Sequence, residues 1–189
     1  MVMVDRKEFA AMQQELAAGD AAREQVIKAS RDVLKQAKQL IYAVHRNDPQ
    51  APALAKALRE QKRRLDALAR DGAEDEGSYR AALEEYAEAI AFLTFHGSGA
   101  LASRKEIGVH TEDYLAGIAD LTGEMVRFAA NAIIAGHPEK AQQAAQMVEQ
   151  LYGQFLQFDF RNGLLRKKSD SIKYNLQRLE EMMYDTRKR

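Results

Sequence analysis

The chain has 189 residues, with 28 basic and 28 acidic side chains and no formal net charge at pH 7. Domains that bind nucleic acid over most of their surface are strongly basic, so this balance argues against that class but leaves local basic patches open. There is no cysteine, which excludes disulfides, thiolate metal sites and cysteine nucleophiles and suits a reducing cytosol.

Only three prolines and no tryptophan occur, and residues that favour helices dominate. The first residues contain no apolar stretch typical of a secretory signal. No uncharged apolar run approaches the ~20 residues that a membrane-spanning helix needs. We therefore expect a single α-helical domain over residues 1–189 that is cytoplasmic and makes no membrane contact.

Apolar residues recur at helical spacing along the whole chain, and no alternating strand pattern appears. The pattern predicts a short helix over residues 5–17 and a long helix that Asp20 caps and that continues to about Arg46. A polar loop is expected over residues 71–78. The remaining predicted helices cover about residues 52–70, 79–95, 111–135, 138–158 and 164–185. The sequence thus predicts an all-α bundle of seven helices.

Two pairs of carboxylates lie at helical spacing in the fourth and fifth predicted helices. Glu85 precedes Glu88 by three residues, and Asp120 precedes Glu124 by four, so the members of each pair share a helix face. The fourth helix is apolar on both sides, which predicts that its pair is partly buried, where ionised carboxylates need compensating cations or donors. Four converging carboxylates would hold Mg²⁺ or Mn²⁺ for phosphate chemistry, which indicates a metal-dependent nuclease.

A simpler interpretation of these acids stays open, because acidic pairs also occur on exposed helix faces. In that case Asp120 or Glu124 pairs with Arg127. Two glycines of the fifth helix bear on the choice. Gly117 leaves the backbone beside the acidic pair open to close approach, and Gly123 weakens the helix by ~1 kcal/mol relative to alanine, which hints at crowding or at a ligand.

Other catalytic patterns are absent from the sequence. There is no Glu-x-x-His motif of the di-iron bundles and no glycine-rich loop for phosphates or dinucleotides. The histidines lie near the ends of predicted helices and are interpreted as caps or surface groups: His45, His96, His110 and His137.

Beyond residue 20 the chain resembles the translin and TRAX (translin-associated factor X) family. Four segments carry the resemblance in order and spacing: SRDVLKQAKQLIYAVHR, EEYAEAIAFLTF, DYLAGIADLTGEMVRFAANAI and LLRKKSDSIKYNLQRLEEMMYDT. The resemblance implies a seven-helix bundle, which agrees with the helix count reached from periodicity.

Within that family, TRAX-type subunits carry nuclease carboxylates and translin-type subunits lack them. Glu85 and Glu88 match the two glutamates of the TRAX fourth helix, and Asp120 and Glu124 match the acids of its GVADLTGE-like segment. The resemblance implies an endoribonuclease that uses Mg²⁺ (or Mn²⁺) held by these residues. It would cleave single-stranded RNA, or single-stranded parts of duplexes, inside a closed shell that is most simply a homo-octamer.

Contacts to nucleic-acid phosphates are expected from Arg127 and, at the start of the last helix, from Arg166, Lys167 and Lys173. A solvated helix face is the alternative interpretation of this basic cluster. Two other functions stay open. One is a non-catalytic, translin-like scaffold that binds single-stranded RNA or DNA and uses the carboxylates as ion-pair partners. The other is a helical interaction protein without any role in nucleic-acid binding.

Overall fold

The computed structural model describes residues 4–70 and 77–188, and every regular element within those ranges is helical. The helices are α1 (Arg6–His45), α2 (Ala51–Ala69), α3 (Gly77–Ser98), α4 (Arg104–Ile107), α5 (Thr111–Ile134), α6 (Pro138–Phe155) and α7 (Leu164–Arg187). The prediction of an all-α fold with seven helices is confirmed for the described chain. Of the loop predicted over 71–78, residues 71–76 lie outside the described ranges, and residues 77 and 78 begin α3.

The N-terminal part of the chain differs from the prediction, because the first two predicted helices are one helix. α1 has 40 residues and runs through Gly19 and Asp20 without a break. Asp5, not Asp20, is its N-cap, and the Asp5 carboxylate accepts hydrogen bonds from the backbone N–H groups of Lys7 and Glu8. A single glycine costs a helix only ~1 kcal/mol, which the strong helix formers around it offset.

The count of seven is preserved by α4, which lies in the predicted connection between α3 and α5. Ser103 and Glu106 form a capping box around its first turn, in which each side chain bonds the other residue's backbone N–H. Gly108 ends this short helix in the left-handed conformation, at φ 75°. The Ser-x-x-Glu spacing was therefore a helix signal within the presumed loop.

Helices α3 and α5 form the centre of the bundle. α1 and α2 cover α3 on one side, α5 packs on its other side, and α6 and α7 cover the far side of α5. A Cβ atom added to Gly117 would lie 2.5 Å from the Glu84 carbonyl oxygen and 2.9 Å from the Ala87 Cβ. The predicted close approach thus occurs at Gly117. The crowding expected at Gly123 is wrong, since its nearest neighbour, Asn175 Nδ2, is 3.9 Å away.

The first half of α1 extends away from the bundle. Every residue from 4 to 25 is exposed, whereas the face beginning at Val26 is buried against the other helices. We call residues 6–25 the N-terminal arm; at 1.5 Å per residue it is about 30 Å long. None of the helices in the described ranges is long and apolar enough to cross a membrane.

Candidate functional site

The four acids singled out in the sequence line one cavity of about 420 Å³. α3 supplies Glu85 and Glu88, and α5 supplies Asp120 and Glu124 across the close contact at Gly117. The wall of the cavity is completed by residues of α1 and α5: Lys38, Ile41, Tyr42 and Arg127. The helical spacing within each pair and the close packing of α3 on α5 together place all four side chains in the lining of one cavity.

Glu88 is the deepest of the four acids, with 7% of its surface exposed. No hydrogen bond or ion pair joins it to another residue in the described part of the chain. Burial, and then the neighbouring charges of Glu85, Asp120 and Glu124, raise the pKa of the Glu88 carboxyl from its ordinary 4.5 to about 9. Without a bound cation this carboxyl is therefore neutral at pH 7.

The two acids of α5 each have a partner from another helix. Lys168 of α7 places its Nζ 2.5 Å from the Asp120 carboxylate and 2.6 Å from the carboxylate of Glu84, a residue of α3 one turn before Glu88. Glu124 accepts a hydrogen bond from Nε2 of His45, and this contact, outweighing burial, lowers the pKa of the Glu124 carboxyl. Both α5 carboxylates are consequently fixed in position.

Weaker cation contacts occur at the mouth of the cavity. The Lys38 ammonium lies 3.6 Å from the Glu85 carboxylate, and the Arg127 guanidinium lies 3.8 Å from that of Glu124. Burial raises the pKa of the Glu85 carboxyl despite the opposing effect of Lys38. The pairing of Glu124 with Arg127, considered as the simpler interpretation of the sequence, is thus present. It coexists with the position of all four acids in the lining of one cavity.

The positions of the side chains and the chemistry of the donor set give different answers on whether these residues fit a divalent cation. Within residues 4–70 and 77–188, no three Asp, Glu or His side chains lie in an arrangement ready to hold a metal ion. Three of the four acids are turned toward Lys38, Lys168 or His45 instead. The donor set nevertheless fits Mg²⁺ or Mn²⁺, which prefer oxygen ligands, and a cation would supply the compensating charge that Glu88 lacks.

His45 and Lys168 are the residues of the cavity that sequence reasoning missed. The side chain of His45 is 2% exposed and its ring packs 4.6 Å from that of Phe92, so its interpretation as a cap or surface group is wrong. A usable signal existed, since His45 follows Lys38 by seven residues and Ile41 by four and therefore shares their helix face. Lys168 gave no comparable signal within its run of basic residues.

The residues predicted to contact nucleic acid are not gathered at one place. Arg127 lines the acidic cavity. Arg166 and Lys173 line a different cavity of about 430 Å³ beside the aromatic residues that connect α6 to α7, where Arg166 pairs with Asp170 at 3.2 Å. Lys167 is exposed. Positions 166 and 168 are about 200° apart around a helix, so Arg166 and Lys168 necessarily face different sides of α7.

The raised pKa of Glu88 predicts a pH-dependent stability of the metal-free protein. Between 4.5 and about 9 the folded chain holds a proton that the unfolded chain has lost. The stability due to this group is therefore complete below its unfolded pKa and is lost as the pH rises toward the folded value. In EDTA, we expect the Tm of the unaltered protein to fall more steeply from about pH 6 to about pH 9 than that of Glu88→Gln, which has no proton to lose. Parallel curves for the two proteins in differential scanning fluorimetry would contradict this assignment.

Comparison with known sequences gives one family. A family model described as the Translin family matches residues 21–189. Translin-associated protein X of Mus musculus is 27% identical over 222 residues, which cover 93% of this chain and 76% of that protein. Translin of Gallus gallus is 34% identical over 83 residues, which cover 43% of this chain and 36% of that protein. The longer match includes both acidic helices.

Comparison with solved structures shows the same bundle. The crystal structure of apo-NeC3PO superimposes with a TM-score of 0.89 at 26% identity, covering 98% of this chain and 100% of that one. AfC3PO in a complex with duplex RNA gives a TM-score of 0.82 at 24% identity, covering 95% of this chain and 96% of that one. At the second identity the similarity is one of fold.

Proposed function

This chain belongs to the translin family, and on that premise we propose that it is a metal-dependent endoribonuclease. Its substrate would be single-stranded RNA, or single-stranded regions of RNA, held within a closed homo-oligomeric shell that is most simply an octamer. The observation that carries the proposal is Glu88, a buried carboxyl with no ion pair to any described residue, in a cavity lined by three further acids. Burying the ionised form of such a group is costly unless a ligand compensates its charge.

The comparisons support RNA as the first substrate to test. A relative of the same fold, AfC3PO, has been solved with duplex RNA. Sequence relatives that align along nearly all of this chain include translin-associated protein X of Mus musculus, and the resemblance of the four acids to those of TRAX-type subunits is part of the proposal. Cleavage, the metal and the octamer are parts of the proposal.

The roles of the residues follow from their contacts. Glu85 and Glu88 would hold the ion from α3, and Asp120 and Glu124 from α5. A bound Mg²⁺ or Mn²⁺ would stabilise charge on the phosphate and lower the pKa of water, so that phosphodiester hydrolysis proceeds at neutral pH.

Three basic residues would support these acids. His45 and Lys168 contact Glu124 and Asp120 directly, and such partners commonly fix the orientation of ligating carboxylates. Arg127, half-exposed at the mouth of the cavity, would contact a substrate phosphate without reading base sequence.

An assay with and without metal tests the proposal. We expect the purified protein to cut a fluorescently labelled single-stranded RNA in Mg²⁺ or Mn²⁺ and to produce no fragments in EDTA, because without the ion nothing would activate the attacking water or stabilise charge on the phosphate. RNA binding in EDTA, measured by fluorescence anisotropy, should persist and weaken as salt rises, since phosphate contacts release counterions. Equal cleavage in EDTA would rule out metal dependence.

A second candidate is a non-catalytic scaffold that binds single-stranded RNA or DNA. It is favoured by one observation: Lys168 and Lys38 already neutralise acids of the cavity, as structural ion pairs would. The same assay separates the two candidates, because a scaffold would bind the labelled strand in both buffers and give no fragments in either. If the protein shows no salt-dependent binding of the labelled strand, the remaining candidate is a helical interaction protein without a role in nucleic-acid binding.

A further inference from the structure

The N-terminal arm carries an apolar stripe that faces solvent. Phe9 is 57% exposed, Met12 45% and Leu16 70%. Scattered apolar side chains are normal on protein surfaces, but these three lie at the 3–4 spacing of one helix face. A contiguous apolar stripe on an exposed helix indicates a surface that another element covers.

The stripe lies on the same side of α1 as the face by which this helix packs into the bundle. Positions 9, 12, 16 and 19 have the same phase in a seven-residue repeat as the buried positions 26, 30, 33, 37, 40 and 44, and the exposed Arg23 lies between the two sets. Because α1 is one helix from Arg6 to His45, the folded half holds the arm in a helical conformation and in a fixed orientation. Such preorganisation reduces the entropic cost of association.

We propose that the N-terminal arm pairs with the arm of a second copy of this chain as a short antiparallel coiled coil. The inference names one contact of the homo-oligomer and so rests on the self-association included in the proposed function. It is independent of cleavage and of metal.

The antiparallel register follows from side-chain sizes. With a two-fold axis near position 14, Phe9 faces Gly19 of the second copy and Met12 faces Leu16 of the second copy, and each contact occurs twice. The largest side chain of the stripe thus lies opposite the residue that lacks a side chain, where there is open space. A two-fold interface must be self-complementary in this way.

The charges beside the stripe agree with the same register. In a heptad repeat, Arg6 and Asp20 occupy equivalent positions beside the stripe. In this register, Arg6 of one copy lies beside Asp20 of the second copy, at the layer where Phe9 faces Gly19. Glu15 is the one unfavourable residue beside the stripe, because Glu15 of one copy approaches Glu15 of the second copy at the two-fold axis. The charged residues beside the stripe are exposed, so they determine the choice of partner and the register more than the affinity.

Point variants test whether the arm is an interface. We expect Leu16→Glu to weaken self-association at least about tenfold, measured by sedimentation velocity or light scattering over a dilution series, because it places a charge in the apolar stripe. Gln14→Glu adds the same charge on the opposite face of the arm and should leave the association constant unchanged. Glu15→Gln removes the repulsion at the axis and should strengthen association.

Charge exchange and disulfide trapping test the register. Arg6→Asp and Asp20→Arg should each weaken association a few-fold, and the double variant should restore it. The chain has no cysteine, so Met12→Cys and Leu16→Cys each introduce a unique thiol. Mild oxidation of a mixture of these two variants should give the mixed disulfide in excess over either homodimer, whereas parallel arms would give the two homodimers.

The outcomes separate this inference from the proposed function. An unaltered protein that stays monomeric at micromolar concentration would overturn both the shell and the arm contact. An oligomer whose size is insensitive to Leu16→Glu would overturn the arm contact alone. Dissociation by Leu16→Glu without rescue by charge exchange and without the mixed disulfide would mean that the arm docks on another surface, and antiparallel pairing would be wrong.

Discussion

Replacement of Glu88 by glutamine is expected to reduce metal-dependent RNA cleavage by at least ~100-fold, because even residues that only support a metal ligand commonly contribute 10–100-fold. Glutamine has nearly the shape of glutamic acid but cannot supply the negative charge that holds a divalent ion. Since burial keeps the Glu88 carboxyl neutral at pH 7 when no cation is bound, the neutral amide should fit the folded chain. Initial rates on labelled single-stranded RNA in saturating Mg²⁺ measure the effect.

Two comparisons make this result interpretable. Glu149→Gln is the same substitution at an exposed position of α6 and should cleave at the unaltered rate. Binding of the RNA in EDTA and the elution volume of the assembly should be the same for both variants. If Glu88→Gln cleaves as fast as the unaltered protein, the acidic cavity is not the catalytic site.

Replacement of Gly117 by alanine should destabilise the fold by about 2–3 kcal/mol, at the upper end of the usual cost of overpacking. The added Cβ would lie 2.5 Å from the Glu84 carbonyl oxygen and 3.0 Å from the Glu88 backbone nitrogen. These are backbone atoms of a central helix and cannot rotate away. For a chain of this size we expect a Tm about 5–10 °C lower, together with a separation of the two acidic helices that also slows cleavage.

Gly123 provides the matched control for this change. It lies in the same helix, but a Cβ there would find only Asn175 Nδ2 at 3.9 Å. Because alanine favours helices over glycine, Gly123→Ala should stabilise the protein by about 0.5–1 kcal/mol. Opposite signs for the two Gly→Ala variants in thermal melts are the expected result; a stabilised Gly117→Ala would mean that α3 and α5 are not held at this distance.

The sequence was sufficient for the parts of the site that depend on spacing within one helix. Glu85 and Glu88, like Asp120 and Glu124, share a face by geometry alone, and the cavity that they line required only that α3 and α5 pack together. Close packing was itself indicated by Gly117. The fold class followed from periodicity in the same way.

The sequence was insufficient where two helices must be placed relative to each other. Lys168 differs from Arg166 and Lys167 only in its rotational phase on α7, and that phase has meaning only once α7 is docked on α5. His45 was judged by its nearness to a helix end, although its face was decisive. At Gly19 and Asp20 the sequence predicted a break between two helices, but the helix formers around them outweighed the effect of the glycine.

The Lys168 contact gives the C-terminal helix an unexpected importance. α7 contributes no acid to the cavity, yet the ammonium group of its Lys168 lies between Glu84 of α3 and Asp120 of α5. A chain shortened before Leu164 would lack the Lys168 ammonium that these two carboxylates share. Glu84 and Asp120 would then repel each other across the contact between α3 and α5. The alignment of the acids therefore depends on an intact α7.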